Sequence, residues 1–387
     1  MRILHVSHES LPDWRIEKSA VTASNLYHEV IFAGKVSNSY TRNTFSKIYN
    51  IGWSLKARLG LPFYWQSVKK QLEGVIKETR PDVIHAHNIF SAKMVSEFGI
   101  PFVYDDHEYW SRLSMQLREI VPKKETLENR SRKATSLKNM LTQMVKFRRV
   151  LLNAYASRVW TRWEREIVSS HPTITVSEQI AAELRTNYHA KNVFVVPNFP
   201  MYSEVKDFEK PRFLDSLSSV YAGVEAKGEI APMHRKIDGF ISTFLEKEIG
   251  NLVVIGWDDK SSSNKVRYRG FLPRQDMFRE MSNHSVGIIP WKQHWSHVYI
   301  SPNKAYEYPH AGLIVACTSS LNVIKDILKE HCVTFEDYAD MASKLMYFRE
   351  TMDELHKKRL QIFDYARDNL IWEKNENYII EAYKRCT

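Results

Sequence analysis

The 387-residue chain contains no apolar run of about 18 residues, which excludes a helix that spans a membrane. Its N-terminus, Met1-Arg2-Ile3-Leu4-His5-Val6-Ser7, lacks the apolar core and cleavage site of a signal peptide, so the cytoplasm is the expected compartment. Cysteine is scarce. Cys317, Cys332 and Cys386 show no C-x-x-C spacing, which argues against a disulfide framework and against a zinc site. No G-x-G-x-x-G is present, so a dinucleotide cofactor is not indicated. The adjacent acidic pairs Asp105-Asp106 and Asp258-Asp259 lack the spacing of a D-x-D. Low-complexity tracts and short repeats are also missing.

What is present is core and positive charge. Hydrophobic residues make up 43% of the chain, ample for two domains, and the formal net charge is +10. That charge implies an anionic partner: a nucleotide, anionic lipid or nucleic acid. Much of it is local. Between 122 and 166 twelve basic residues stand against four acidic ones, interleaved with Leu141, Val145, Leu151 and Leu152 and followed by Tyr155, Trp160 and Trp163. This composition suits a helix lying on an anionic membrane surface, and equally a long helix packed on its own domain with a solvated basic face.

The first half reads as alternating strands and helices. Residues 2–7 and 28–34 predict strands around a helix over 19–26, with Arg15 and Glu17 in the loop between. After an irregular aromatic segment, a helix ends before Pro81, and strands at 82–88 and 101–108 carry His85, His87, Asp106 and His107 to their carboxyl ends. Ligands bind at such ends in open α/β sheets, so several histidines and acids at one rim predict a site. Further strands at 173–177 and 192–196 complete this half, and 203–212 reads as an interdomain linker.

The second half repeats the alternation. Strands are predicted at 218–223, 251–255, 266–268 and 285–289, with helices over 234–247 and 274–282. The stretch Ser301-Pro302-Asn303-Lys304-Ala305-Tyr306-Glu307 then opens a helix ending at Gly312, followed by the buried strand Leu313–Cys317. Unpaired N–H groups at the start of such a helix, Lys304 in its first turn and Glu307 one turn on would suit a sugar nucleotide. A surface helix with a Lys–Glu pair is the plainer alternative. The fold class is therefore α/β, with two Rossmann-like domains. The boundaries expected are 1–200, 201–368 and a C-terminal helix, 369–387, crossing back to the first domain.

Several segments in order resemble the retaining glycosyltransferases of family 4, whose GT-B fold sets two such domains across a cleft. They are Arg15-Ile16-Glu17-Lys18, His28-Glu29-Val30, Asp82-Val83-Ile84-His85-Ala86-His87, Ile174-Thr175-Val176-Ser177-Glu178, Val195-Val196-Pro197-Asn198 and Pro302-Asn303-Lys304-x-x-Glu307. The resemblance implies that Glu307 hydrogen-bonds the donor ribose and that Lys227, before Gly228, contacts the donor diphosphate. It implies that His107 faces the reacting sugar. Gly223, Ser301, Pro302, Asn303, Lys304 and Phe271 fall on the donor side; Arg15, Glu17, His85, His87, Asp106 and His107 fall on the acceptor side. Two departures stand out. Tyr299 occupies the place of the family's first glutamate, for which backbone groups of 300–303 would substitute. Val224 replaces the arginine expected after Gly223, with Lys304 or Arg274 as compensating cations.

The activity implied is transfer of a sugar from a nucleoside-diphosphate sugar to a glycan or lipid-linked acceptor. Anomeric configuration would be retained by front-face attack, with no metal and no other cofactor. The alternatives are a nucleotide-sugar epimerase on the same scaffold and a basic lipid- or nucleic-acid-binding protein. Nucleic acid is not the expected partner, because the charge is local while the α/β pattern spans the chain.

Overall fold

The computed structural model describes residues 1–387 apart from 39, 42, 120–136, 228–231, 260–262 and 387, and leaves out the side chains of 117–119, 137–147 and 149. The chain divides into two compact units. The first comprises Met1–Thr175, Ala181–Phe194 and Ile379–Thr387; the second comprises Val176–Ile180 and Val195–Tyr378.

The first unit is built on seven strands: β1 (Arg2–Leu11), β2 (Glu29–Val36), β3 (Lys47–Asn50), β4 (Val83–His87), β5 (Phe102–Asp106), β6 (Thr173–Thr175) and β7 (Val193–Val195). They lie in the order β3-β2-β1-β4-β5-β6-β7, and the pairs from β3 through β6 run parallel. Every residue of β4 and β5 is buried, as expected of parallel strands covered on both faces. The strand order reverses between β1 and β4, which places their carboxyl ends at the point where such sheets open a crevice.

The second unit holds β8 (Ser218–Ala222), β9 (Asn251–Ile255), β10 (Val266–Tyr268), β11 (Val286–Ile289), β12 (Ile314–Thr318) and β13 (Cys332–Phe335). All six are parallel, in the order β10-β9-β8-β11-β12-β13, so here the reversal falls between β8 and β11. Tyr308 fixes the helix Lys304–His310 against this sheet: its hydroxyl accepts from Ala222 N at 2.9 Å. Its ring fills the space that a side chain at Gly287 would need.

Four expectations change. The helix read over 19–26 begins at Trp14, because Asp13 Oδ1 accepts from the N–H groups of Arg15 and Ile16, each at 3.0 Å. Arg15 and Glu17 therefore sit on a capped helix and not in a loop. The segment 203–212 is no free linker: Val205 is buried, Arg367 holds the Val205 carbonyl, and buried Arg359 donates to the carbonyl of Arg212 at 2.8 Å. The helix read over 234–247 breaks into a 3-10 turn, Met233–Arg235, and a helix, Phe240–Glu246, with Gly239 at φ +86° between them. The returning C-terminal segment starts at Ile379. Before it, Trp372 N donates to Pro200 O within the second unit.

The basic stretch 122–166 lies partly outside the described residues; from Leu137 onward it forms the helix Leu137–Ser170. Trp160 and Trp163, read as flanking a membrane-facing surface, are instead buried. Trp160 packs on Phe90 and Trp110 and donates to Arg58 O, while Trp163 packs against Trp65 with the rings tilted by 40°. Among the described residues, no helix is long and apolar enough to cross a membrane.

Candidate functional site

In the first unit the strand register gathers the histidines. His5 on β1 lies beside His85 on β4, and His87 lies beside Asp105 on β5. Because alternate side chains share a face, His85, His87 and Asp105 point together. Asp106 points away, where Tyr104 Oη donates to its Oδ1 at 2.7 Å. The reading that placed Asp106 at the acceptor rim is thereby corrected: the carboxylate facing the histidines is Asp105. Burial, followed by the charge of Glu164, raises Asp106 well above the usual carboxylate range.

Asp105 is the hub of this cluster. Arg15 binds its Oδ1 through Nε at 3.0 Å and Nη2 at 2.7 Å. On the other oxygen, Oδ2, it meets His85 Nε2 at 3.2 Å, His87 Nδ1 at 3.4 Å and His107 Nε2 at 3.4 Å. Burial opposes its ionisation, but Arg15 and His107 hold it well below the ordinary carboxylate range. Burial likewise lowers His5, His85 and His87, which stay neutral. His107 behaves differently. Burial acts against its charge, yet Asp105 and Glu9 raise it to about 10. Its charged form is therefore favoured at neutral pH.

This charge state orders the protons. His107 Nε2–H donates toward Asp105 and toward His87 Nδ1, 3.1 Å away, so His87 carries its proton on Nε2 and passes a hydrogen bond to His5 Nδ1 at 3.0 Å. His85 donates to Asp105 from Nε2 and accepts from Tyr383 Oη at 2.7 Å. His85, His87 and Asp106 are fully buried, and Arg15 and Glu17 nearly so. All five, read as acceptor-side residues, therefore lie below the surface. Only His107, about 10% exposed, reaches the rim.

Three groups here bring metal-ligating atoms within 4.8 Å of one another: His5–His85–His87, His87–Asp105–His107 and Glu9–Asp13–His107. In the first, the rings stack within 14–22° of parallel, so their in-plane lone pairs do not converge. In the second, Asp105 is already paired with Arg15 and with the imidazolium. In the third, an Asp13 oxygen caps the helix.

In the second unit, Lys304 and Glu307 stand on the helix Lys304–His310 as the spacing predicts. The helix is only seven residues long and begins at Lys304, so its N-terminus is a weaker anion site than one opening at Pro302 would be. Ser301 Oγ is tied to Tyr306 Oη at 2.6 Å, and Asn303 Oδ1 accepts from Asn198 at 2.7 Å. Lys304 Nζ lies 4.3 Å from the Tyr221 ring and 5.6 Å from the Trp291 ring, close enough to Gly223 that a methyl group there would strike it. Phe271 is 88% exposed in the loop after β10, free to stack on a ligand.

Two cations read as donor contacts are already neutralised. Arg274 donates to Glu307 Oε1 at 2.6 Å and to Glu204, so two carboxylates already share its charge. Lys227 lies 3.4 Å from Glu225 and 3.8 Å from Asp259. Sequence reasoning missed Arg235, whose guanidinium stands 5.8 Å from the Trp291 ring. Gly239, only four residues on, was the signal that no continuous helix runs through it.

Residues 25–199 match the family model described as Glycosyltransferase Family 4. Among curated proteins no sequence matches the chain. Solved structures do. Sucrose-phosphate synthase from Thermosynechococcus elongatus superposes with a TM-score of 0.68 at 12% identity, covering 99% of this chain and 98% of that one. Anabaena HepE in complex with UDP-glucose gives 0.65 at 10% identity, covering 99% of each. WaaG, a glycosyltransferase involved in lipopolysaccharide biosynthesis, gives 0.58 at 12% identity over 97% of this chain and 99% of that one. The chain thus has the GT-B fold, and its match to the family 4 model covers residues 25–199.

Proposed function

We propose that the protein transfers a sugar from a nucleoside-diphosphate sugar to a hydroxyl of a glycan or lipid-linked acceptor, with retention and without a metal at the diphosphate. The observation that carries this reading is Lys304 beside Glu307 at the carboxyl end of β8: a cation for phosphate next to a carboxylate for sugar hydroxyls. A neighbour of the same fold, HepE, binds UDP-glucose, which supports the same class of donor.

In the reaction the anomeric carbon–oxygen bond to the diphosphate breaks and a bond to the acceptor oxygen forms. The acceptor's proton passes to the departing phosphate oxygen, and the nucleoside diphosphate leaves. His107, already an imidazolium, is a poor base and a strong hydrogen-bond donor, so its role is to hold a substrate oxygen. Lys304 answers the charge that grows on the leaving group. Glu307 keeps Oε2 for the ribose while Oε1 is held by Arg274. Leu151, Leu152 and Tyr155, exposed beside Arg148 and Arg158 on the long helix, support contact with an anionic membrane face, where a lipid-linked acceptor would lie.

Thermal-shift screening against nucleoside diphosphates and their sugars selects the donor, and product analysis with and without acceptor follows. New glycoside, formed equally in the presence of a chelator, is expected. An isomerised donor formed without acceptor would identify an epimerase instead, and activity restored only by manganese would refute the metal-free reading. Glu307→Ala is expected to lower kcat/KM by about 10- to 100-fold, the worth of hydrogen bonds to a charged acceptor. Unchanged transfer would remove Glu307 from the donor site.

A further inference from the structure

We propose that Arg235 and Lys304 together form the seat of the donor's diphosphate, and that Lys227, the residue the family motif points to, does not. The proposal rests on the nucleotide-sugar reading and names the residues that reading leaves open. The cations of the second unit near β8 sort by their partners. Arg274 is shared by two carboxylates and Lys227 has two within 4 Å. Among the described residues, neither Arg235 nor Lys304 has a carboxylate within ion-pair distance, and Arg235 Nε is buried without a hydrogen-bond partner.

Both unneutralised cations lean on one wall. The Trp291 ring lies 5.8 Å from the Arg235 guanidinium and 5.6 Å from Lys304 Nζ, and the Tyr221 ring lies 4.3 Å from Lys304 Nζ. Tyr221 belongs to β8 and Trp291 follows β11, so the pair sits where the strand order of this sheet reverses. Two like charges held together without a counter-ion repel. Their electrostatic demand is for a ligand carrying two or more negative charges, which a diphosphate meets and a neutral sugar does not. Burial, and after it the charge of Arg235, lowers Lys304 to about 7, against the weaker pull of Glu307. Arg235 thereby takes over the position lost when Val224 replaced the expected arginine, arriving from the 3-10 turn Met233–Arg235.

The test is isothermal titration of the full-length chain with the nucleoside diphosphate selected by screening, the matching monophosphate, and inorganic pyrophosphate. Arg235→Gln and Lys304→Gln are each expected to weaken diphosphate and pyrophosphate binding by about 10- to 100-fold. They should also reduce the preference for diphosphate over monophosphate, a ratio that general loss of folded protein would not move. Arg235→Lys is expected to recover part of the affinity, and Lys227→Gln to stay within about twofold of the parent. The inference is overturned if Arg235→Gln binds as the parent does, or if Lys227→Gln loses as much. A parent chain that binds neither pyrophosphate nor any nucleoside diphosphate refutes the donor reading itself, and this inference with it.

Discussion

His107→Ala is expected to lower sugar transfer by about 10²–10³-fold, the usual cost of removing one preorganised donor from a reacting centre, while leaving the fold intact. The fold survives because His107 is the outermost member of its cluster and Asp105 keeps both Arg15 and His85. The charge on His107 can be read separately. Its folded pKa, about 10, lies above the ordinary value of 6.5. The charge therefore stabilises the folded state fully below pH 6.5, and that contribution is lost as pH rises through about 10. Histidine ring signals followed by NMR from pH 5 to 10 should show no deprotonation of His107 near neutrality, and Asp105→Asn should bring its titration down. A His107 that titrates near 6.5 in the parent protein would overturn its reading as a fixed hydrogen-bond donor and make a general base of it instead.

The second large effect concerns stability. Arg274→Met leaves Glu204 and Glu307 facing each other without their shared guanidinium, in a region where the three side chains are only 9–15% exposed. Breaking a buried ion pair by removing one partner costs about 3–5 kcal/mol, and denaturant unfolding should record a loss of that size. The control is Arg279→Met on the same helix. Its ion pair with Asp276 is solvent-exposed and is worth less than about 1 kcal/mol. Equal stability of the two variants would mean that the Glu204–Arg274–Glu307 triad contributes no more than a surface pair.

The architecture was legible in the sequence because both sheets are made of apolar runs bounded by polar loops, and such runs survive local irregularity. Strands 251–255, 266–268 and 285–289 were placed within a residue of the observed β9, β10 and β11. The sites were legible only where a residue's neighbours in sequence are also its neighbours in space. Lys304 and Glu307 share one helix, and their spacing placed them. Asp105 was passed over for Asp106, although two-residue alternation already put Asp105 on the histidine face. Arg235 carried no local signature, since its relation to Lys304 is made by the sheet and not by the segment that holds it.

The hydrogen bond from Tyr383 to His85 spans 298 positions of sequence and lies within the first unit. During synthesis, residues 1–194 emerge long before their last packing partner, and the segment that supplies Ile379, Ala382 and Tyr383 to their core emerges only after the second unit. The first unit is therefore the earlier to begin folding and the later to finish. A ribosome stalled within the second unit would carry a histidine cluster whose His85 still lacks its donor.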